Sequence, residues 1–387
     1  MGRNKDGGHY SRRKFLTHSA LGVGAALTLP AFGALSPAER QKYYQFWDKL
    51  QPLPDSKKLG IALVGLGNYA THQLAPALLQ TKLCRLTGIV TGTPSKADEW
   101  AKKYSIPKKS IYSYETYDQI KDNPDIDIIY VVLPNSMHAE YTIRGARAGK
   151  HMISEKPMAT SVADAQAMID ACRKANKKLS IGYRLHFEPY NEEMTRLGQD
   201  EVFGPVKHIE GGFAFTFPDD PTRWRLNKKL AGGGPLMDLG IYVVQGSIYT
   251  MGKLPVAVTA RQETHNQHLF SQVEESIYWD LEFPGNVTAK GETSYSHNAN
   301  YLRATAQNGW FRLEPSFNYR GIHGETSKGA MDFPEVYQQA LQMDDFAYCV
   351  LNDKPTRVPG EMGLRDMKIL TAIYEAAGTG KKVKLDL

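Results

Sequence analysis

The chain has 387 residues, of which 42% are hydrophobic and 23% are charged, and its formal net charge is +6. This length exceeds what one hydrophobic core usually fills, so we expect two domains. Residues 1–34 carry +4 of the net charge, and the remaining +2 gives no basis for binding nucleic acid.

The N-terminal segment has the pattern of an export leader. Arg12 and Arg13 precede a mildly apolar run at residues 20–29, and small residues follow at 31–34. The run is too short to span a bilayer, so we interpret residues 1–34 as a twin-arginine signal peptide and expect no stable membrane insertion. This predicts a periplasmic protein that uses the twin-arginine export machinery, with residues 35–58 forming an N-terminal arm.

A short apolar run at residues 59–64 is typical of a buried parallel strand. The turn after it consists of Gly65, Leu66, Gly67, Asn68 and Tyr69. The first glycine permits a tight turn and the second lets the backbone approach a pyrophosphate, so this turn is predicted to bind a dinucleotide. An ordinary strand-to-helix turn is the alternative for this fragment taken alone.

Apolar strands recur at residues 86–90 and 126–133 with helical spacing between them, which predicts repeated βαβ units and a doubly wound sheet. Enzymes that use NAD commonly have an acid after the second strand, but Thr91, Gly92 and Lys96 lie there instead. Hydroxyl groups and a lysine suit a 2′-phosphate, so we predict NADP rather than NAD.

Two further strand ends supply polar residues. The strand at 126–133 is followed by Pro134, Asn135 and His138, and the one at 150–154 by Glu155, Lys156 and Pro157. Since open α/β sheets bind ligands at this edge, we predict that all of these residues except Pro157 line the cofactor. The alternatives are that His138 is a helix-packing residue and that Lys156 is a solvated surface lysine. Pro157 restricts Lys156 to extended backbone, so its side chain is expected to project into the crevice.

Asp238 and Tyr242 are four residues apart, so they are predicted to share one face of a helix. That helix is expected to begin after the glycines at 232–234, whose flexible backbone would admit a close ligand. A phenol beside a cation can exchange a proton, so we predict that Tyr242 does so with Lys156 supplying the cation. A purely structural role for Tyr242 in the core is the alternative.

Alternating segments at 256–260 and 276–283 predict strands of an open, largely antiparallel sheet with one face on helices. We expect Trp279, Tyr295 and Tyr301 on its free face, as a dimer surface or as a face that is simply exposed. The cysteines, Cys84, Cys172 and Cys349, are expected to be buried free thiols, and no Cys/His spacing indicates a metal site.

The predicted fold class is therefore α/β, with a Rossmann doubly wound NADP-binding domain at residues 59–157. Residues 158–387 are predicted to form an α+β domain for substrate binding and oligomerisation, with an open, mostly antiparallel sheet. Its C-terminal helix could pack back on the Rossmann domain.

Several motifs carry a family resemblance in combination. They are Gly65-Leu66-Gly67, Glu155-Lys156-Pro157, Gly182-Tyr183-Arg184, Trp224-Arg225-Leu226, the glycines at 232–234 and Asp238-Leu239-Gly240-Ile241-Tyr242. Together they resemble the glucose-fructose oxidoreductase family and the related aldose-aldose oxidoreductases of the Gfo/Idh/MocA superfamily, over about residues 59–387.

The resemblance implies an enzyme with tightly but non-covalently bound NADP. Such an enzyme oxidises an aldose to its lactone and reduces a second sugar to an alditol with the same hydride. It implies that Lys156 and Tyr242 handle protons and that Asp238 orients the substrate. It also implies that Thr91 and Lys96 meet the 2′-phosphate, while Arg184, Trp224 and Arg225 line the cofactor.

The predicted arm at residues 35–58 departs from the pattern of the family that the chain resembles, because glucose-fructose oxidoreductases have a longer arm that covers a neighbouring subunit. We expect a homo-oligomer through the C-terminal sheet, and dimer versus tetramer stays open.

The alternatives for the function are an exported NAD(P)-dependent glycoside hydrolase on the same scaffold, a simple sugar dehydrogenase using free NADP, and a noncatalytic NADP-binding protein. The twin-arginine route exports folded proteins, which favours a cofactor that is loaded before export and retained.

Overall fold

The computed structural model of the protein describes residues 49–387. The predicted leader and residues 35–48 of the predicted arm lie outside that range. Between residues 49 and 387, no helix combines the length and the apolar character that crossing a bilayer requires.

The first sheet is parallel throughout and has the order β3-β2-β1-β4-β5-β6. Its strands are β1 (Leu59–Val64), β2 (Cys84–Val90), β3 (Ile111–Tyr112), β4 (Ile128–Val131), β5 (His151–Ser154) and β6 (Leu179–Ile181). All six residues of β1 are buried, which is why this strand appears in the sequence as an unbroken apolar run. The strand order reverses between β1 and β4, and a doubly wound sheet binds its ligand at that point.

Helices cover this sheet. They are α1 (Ala75–Leu78), which continues a π-helical turn at Ala70–Leu74, then α2 (Pro94–Tyr104), α3 (His138–Arg147) and α4 (Val162–Lys174). Short 3-10 turns occur at Asp55–Lys57, Lys108–Ser110, Tyr117–Asp122 and Asn135–Met137.

The second sheet has the order β14-β13-β12-β11-β7-β10-β9-β8-β15. Its strands are β7 (Val206–Ala214), β8 (Ala257–Glu263), β9 (Ser276–Phe283), β10 (Val287–Ser294), β11 (Ala299–Ala306), β12 (Gly309–Leu313), β13 (Gly324–Thr326), β14 (Gly329–Ala330) and β15 (Val383–Lys384). Every pair is antiparallel except β10 with β7, so the predicted open, mostly antiparallel sheet and the α/β class are confirmed.

The helices of the second half are α5 (Pro189–Gln199), α6 (Lys228–Ala231), α7 (Ile241–Met251), α8 (Gln338–Leu351) and α9 (Gly360–Thr379). A π-helical turn at Leu236–Gly240 leads into α7, and 3-10 turns lie at Arg184–Phe187 and Trp224–Leu226. Helix α8 returns to the first sheet, where Met343 and Phe346 join one buried cluster with Leu63 of β1.

The aromatic residues expected on the free face of the second sheet do not all lie there. Trp279 and Tyr295 are only 3% and 1% exposed, so this prediction was wrong for both. Trp279 packs on the helix-covered face, against Gly291 and Gly240, since side chains alternate along β9. Tyr301 is half-buried and donates a hydrogen bond to Glu292. Alternation along the sequence defines two faces, but it does not say which one a helix covers.

The three cysteines are buried and free, as predicted. Burial raises the pKa of each thiol, to about 12 for Cys172.

Candidate active site

The glycine turn after β1 has the geometry that a dinucleotide needs. Gly65 has a φ of +93°, and a Cβ there would lie 2.4 Å from the carbonyl oxygen of Val132, so only glycine fits. A Cβ on Gly67 would meet no atom within 4 Å, which leaves open space where a pyrophosphate could approach the backbone. Asn68 is exposed beside it, and its carbonyl oxygen lies 3.0 Å from Nδ1 of His72.

The residues after β2 lie at the same edge. Lys96 is exposed in the first turn of α2, and its Nζ donates a hydrogen bond to the carbonyl oxygen of Leu66 over 3.3 Å. Thr91 is buried, and its Oγ1 accepts a hydrogen bond from the backbone of Thr93. Gly92 is exposed beside the ring of Tyr114. The predicted 2′-phosphate contacts Thr91 and Lys96 thus lie beside the glycine turn.

Lys156 joins the two halves of the chain. It follows β5, and its Nζ donates to the backbone oxygen of Asp238 over 2.6 Å and to Oδ1 of Asp238 over 3.3 Å. The same Nζ lies 4.8 Å from the ring centroid of Tyr242. Only 11% of the Lys156 side chain and 17% of the Asp238 side chain is exposed. The structure therefore brings Lys156, Asp238 and Tyr242 together in one partly buried cluster.

Asp238 is the electrostatic centre of that cluster. Its Oδ2 accepts hydrogen bonds from Arg225 over 2.8 Å and from the hydroxyl of Tyr295 over 3.0 Å. Burial alone would raise the pKa of the Asp238 carboxyl, but Arg225, Lys156 and the Tyr295 hydrogen bond lower it to about 2. Asp238 is therefore ionised throughout the neutral range. Arg225 also stacks on Trp224, with 4.5 Å between its guanidinium carbon and the ring centroid.

Glu155 is buried behind Lys156. Its Oε1 accepts a 2.6 Å hydrogen bond from Tyr130 and its Oε2 a 3.2 Å bond from the backbone of Lys156. A Cβ on Gly182 would lie 2.5 Å from Oε1, so the glycine leaves room for this carboxyl. Burial raises the pKa of Glu155 despite these hydrogen bonds. Tyr69 lies near this carboxyl, and its pKa is raised by burial and by Glu155.

Arg184 also lies close to the ring of Tyr242. Its guanidinium carbon is 5.1 Å from the ring centroid of Tyr242 and 4.4 Å from that of Tyr319. Tyr319 in turn lies 5.9 Å from the ring of Tyr69 in the nucleotide-binding half. The family resemblance implies that Arg184 lines the cofactor, and this stays a prediction; the structure places its guanidinium beside the rings of Tyr242 and Tyr319.

The residues after β4 play packing roles. His138 is completely buried, and its ring nitrogens lie 2.9 Å from the carbonyl oxygen of Pro157 and 2.8 Å from that of Leu133. These contacts connect the segments that follow β4 and β5, and the buried ring presents no surface to a cofactor. The prediction of His138 as a cofactor ligand was therefore wrong, and the packing alternative holds. The Asn135 side chain donates to the backbone oxygen of Ala231 over 2.8 Å, and the backbone oxygen of Pro134 accepts from Met137.

The glycines before Asp238 fill a different role from the one predicted. A Cβ on Gly233 would lie 2.0 Å from the hydroxyl of Tyr374, and one on Gly234 would lie 2.6 Å from the backbone oxygen of Glu274. The buried Glu274 carboxyl accepts hydrogen bonds from the backbone of Gly234 and Leu236, over 3.0 and 3.1 Å. The expected close approach of a ligand here was wrong, because protein atoms already occupy that space.

Sequence reasoning did not assign site roles to Tyr295, Tyr319 or Glu274. Tyr295 follows β10 and Tyr319 lies in the connection between β12 and β13, so no local motif marks either residue. Glu274 could have been suspected, since Glu274 and Glu275 form an acidic pair just before the apolar strand β9.

Comparison with known proteins identifies both halves of the chain. Residues 59–183 match the model of the GFO/IDH/MocA oxidoreductase family with its NAD-binding Rossmann fold, and residues 192–317 match the GFO/IDH/MocA C-terminal domain. A D-xylose 1-dehydrogenase [NADP(+)] of Haloarcula marismortui is 29% identical over 84% of this chain and 92% of its own length.

Solved structures give the same result. The crystal structure of an aldose-aldose oxidoreductase from Caulobacter crescentus, complexed with glycerol, is 42% identical, with a TM-score of 0.82 over 85% of this chain and all of the other. A levoglucosan dehydrogenase in complex with NADH and levoglucosan is 22% identical with a TM-score of 0.73 over 85% of this chain and all of the other, which shows the shared fold alone.

Proposed function

The chain belongs to the GFO/IDH/MocA oxidoreductase family, and from that premise we propose that it is an NADP-dependent sugar oxidoreductase with a retained cofactor. It oxidises an aldose to its aldonolactone and passes the same hydride to a second sugar, which becomes an alditol. The observation that carries the proposal is the cluster of Lys156, Asp238 and Tyr242, which lies beside the ligand-binding edge of the first sheet.

The residues at that edge fit NADP. Open space at Gly67 accommodates a pyrophosphate, and the exposed ammonium of Lys96 beside Leu66 suits a 2′-phosphate. No carboxylate occurs in the segment 91–97 that would repel that phosphate. When bound, the nicotinamide supplies the chemistry of accepting and returning a hydride.

The hydrogen bonds of Lys156 support a division of roles between Lys156 and Tyr242. An ammonium has three N–H donors, and Asp238 accepts two of them. The remaining donor is available to a sugar oxygen, but an ammonium has no lone pair with which to accept a proton. Tyr242, whose ring lies under that ammonium, is therefore the base in oxidation and the acid in reduction.

The similar proteins favour sugars as substrates on both sides of the reaction. The aldose-aldose oxidoreductase supports the two-sugar cycle, and the xylose dehydrogenase supports an aldose as the hydride donor. The dehydrogenase also favours a second candidate, an enzyme that exchanges free NADP after each oxidation.

Export and assembly complete the proposal. Arg12 and Arg13 support twin-arginine export to the periplasm, where a retained cofactor removes the need for a pool of free NADP. The face of the second sheet opposite Trp279 carries Tyr278, Tyr301 and Arg303, which supports a homo-oligomer through this face. Detection of the protein in the periplasmic fraction tests export. The mass of the purified protein by light scattering tests assembly.

The central test uses the purified full-length protein. We expect denaturation to release NADP in near-equal amount to the protein, and one added aldose to reduce the bound cofactor in a single turnover. A second sugar should reoxidise it without added NADP. Tyr242→Phe should retain the cofactor and slow both half-reactions by about 10²-fold or more, because proton transfer contributes that much.

The outcomes separate the candidates. Protein that is isolated empty and turns over only with free NADP supports the simple dehydrogenase. Release of an aglycone from a glycoside without net sugar reduction supports a hydrolase. Wild-type rates in Tyr242→Phe would remove the phenol from proton transfer.

A further inference from the structure

Residues 224–231 form a strap that connects the two halves of the chain at the ligand-binding edge. The strap consists of the 3-10 turn Trp224–Leu226, Asn227 and helix α6. It follows β7 and so belongs to the second half, but its last residue is bonded to the first half. The side chain of Asn135 donates to the backbone oxygen of Ala231 over 2.8 Å. Asn135 and Ala231 are only 6% and 2% exposed, so this hydrogen bond is shielded from solvent.

The bond between Asn135 and Ala231 lies next to the glycine turn. Asn135 opens the 3-10 turn after β4, and β4 pairs with β1. Val132, three residues before Asn135, is the residue whose carbonyl oxygen would meet a Cβ on Gly65. A doubly wound sheet binds its ligand where the strand order reverses, which is at β1 and β4 in this protein. The strap therefore ends beside the place where a dinucleotide enters and leaves.

The other end of the strap is fixed to the second half. Arg225 donates to Oδ2 of Asp238 over 2.8 Å, and Leu226 is 3% exposed in a cluster with Tyr295. An ion pair and a packed side chain together hold more strongly than one neutral hydrogen bond. The attachment at Ala231 is thus the weaker of the two, so it is the one expected to open first.

Helix α6 depends on its caps, because a four-residue helix has little stability of its own. Oδ1 of Asn227 accepts the backbone N–H groups of Lys229 and Leu230, over 3.0 and 3.3 Å. Gly232 ends the helix with a φ of +80°, a conformation that favours glycine. The position of the Ala231 carbonyl therefore depends on the cap at Asn227, which offers a second place to loosen the strap.

We propose that Asn135 is a positioning residue that fastens the strap across the nucleotide-binding edge, and that breaking its bond to Ala231 controls the exchange of NADP. This inference rests on the proposed function, because it accounts for how a cofactor is retained between turnovers. Both partners of the bond are protein groups, so the bond forms with or without a cofactor. The strap acts as a gate, and the cofactor enters and leaves only while the bond is broken.

A gate and a direct contact with the cofactor differ in their kinetics. Weakening a gate that closes the free and the loaded protein alike raises the rates of binding and release by a similar factor, so Kd changes little. Loss of a direct contact between Asn135 and the cofactor raises mainly the release rate, and Kd rises with it. The net contribution of one neutral hydrogen bond corresponds to a change of about two- to tenfold in each rate.

The test follows NADPH fluorescence in the full-length protein. Release is measured by mixing NADPH-loaded protein with excess NADP, and binding by mixing cofactor-stripped protein with NADPH. In Asn135→Ala we expect both rates to rise by about two- to tenfold.

Asn123→Ala is the matched control for that variant. Asn123 is also 6% exposed, but its side chain donates to Ser110 and Tyr112 within the first half. It precedes β4 and therefore lies at the opposite edge of the sheet from the strap. Both rates should stay near the wild-type values in this control.

A second pair of variants loosens the strap from its own helix. Asn227→Ala removes the cap of α6 and should raise both rates in the same way, since a lost cap destabilises a helix about as much as a lost hydrogen bond. Asn227→Ser keeps an oxygen that can cap the helix, so its rates should stay close to those of the wild type. A direct contact of Asn135 with the cofactor would leave Asn227→Ala at wild-type rates, because Asn135 is intact in it.

Three results would overturn the inference. They are wild-type exchange in Asn135→Ala or Asn227→Ala, a rise in the release rate alone, and an equal change in Asn123→Ala. A wild-type protein that is isolated without NADP would instead defeat the proposed retention, and that result is obtained before any variant is made. The two failures are therefore distinguishable.

Discussion

Two aspartates differ in how the structure stabilises their charge: Asp238 lies in the cleft, the partly buried cluster with Lys156 and Tyr242, and Asp344 is buried in α8. Asp238 in the cleft is bonded by Lys156 and Arg225, and their charges lower its pKa to about 2. Asp344 of α8 accepts backbone N–H groups of Lys82 and Leu83, both over 2.8 Å, and it is 3% exposed. Burial raises the pKa of Asp344 to about 6, although these hydrogen bonds oppose the change.

The difference lies in the partners. Cations from two separate elements outweigh the burial of Asp238, whereas neutral amides do not outweigh the burial of Asp344. The cleft therefore keeps a permanent anion that orients Lys156. Asp344 of α8 is instead a hydrogen-bonding group that is costly to ionise near neutral pH.

The largest expected effect comes from removing the cleft anion. Asp238→Asn should slow single-turnover sugar oxidation by about 10²-fold, because Lys156 and Arg225 lose their shared counter-charge and Lys156 loses its orientation. The measurement is the rate at which the NADPH absorbance increases after an aldose is added to the cofactor-loaded protein.

Tyr295→Phe is the matched control for that variant. It removes only the neutral hydroxyl that donates to Oδ2 of Asp238, over 3.0 Å, so we expect a loss of about tenfold or less. Equal losses in both variants would show that the charge of Asp238 does not matter, and the contrast with Asp344 would then have no functional meaning.

The contribution of Asp344 to the stability of the protein should depend on pH. Between the ordinary value of 3.8 and about 6, the folded chain holds a proton on Asp344 that the unfolded chain has released. The group's contribution to stability is therefore present below 3.8 and is lost as pH rises through about 6. The loss amounts to roughly 3 kcal/mol of unfolding free energy, since the pKa of Asp344 differs by about two units between the two states and one unit corresponds to about 1.4 kcal/mol.

Denaturant unfolding of wild type and Asp344→Asn at several pH values measures this. The difference in unfolding free energy between the two should change by roughly 3 kcal/mol across the window, because the amide cannot ionise. Asp353→Asn is the control, since Asp353 lies just beyond α8 and its ion pair with Lys178 is 81% exposed on the carboxylate side. A constant difference for Asp344→Asn would contradict the raised pKa.

The sequence predicted the strands better than the contacts between them. The runs at 59–64 and 276–283 coincide with β1 and β9, because full burial and strict alternation leave direct traces in a sequence. The motifs that end parallel strands were also placed at one edge, since strand direction alone brings Gly67, Lys96 and Lys156 there.

Contacts that depend on tertiary packing left no such trace. The position of Arg184 beside Tyr242 depends on the segment 317–318 and Gln338, which lie far along the chain. The glycines at 232–234 look like a ligand loop in the sequence, but Glu274 and Tyr374 explain them only once the fold is known. The burial of Trp279 likewise depends on which face of the sheet α7 covers.

The smallest expected effect concerns Lys96. Lys156 and Arg225 both bond the Asp238 carboxylate, whereas within residues 49–387 the exposed ammonium of Lys96 bonds the carbonyl oxygen of Leu66 and forms no ion pair, which suits it to meet a phosphate. Lys96→Ala should weaken the preference for NADP over NAD by about fivefold, because an exposed ion pair contributes about 1 kcal/mol. Fluorescence titration of cofactor-stripped protein with both nucleotides measures the ratio.

Salt and a neighbouring lysine sharpen this test. Added salt should reduce the preference of the wild type toward that of Lys96→Ala, since screening acts on exposed charges. Lys102→Ala, which removes a charge from the last turn of the same helix, should leave the ratio unchanged. If Lys96→Ala keeps the wild-type ratio, the hydroxyl and backbone groups around Thr91 must select the cofactor without help from the lysine.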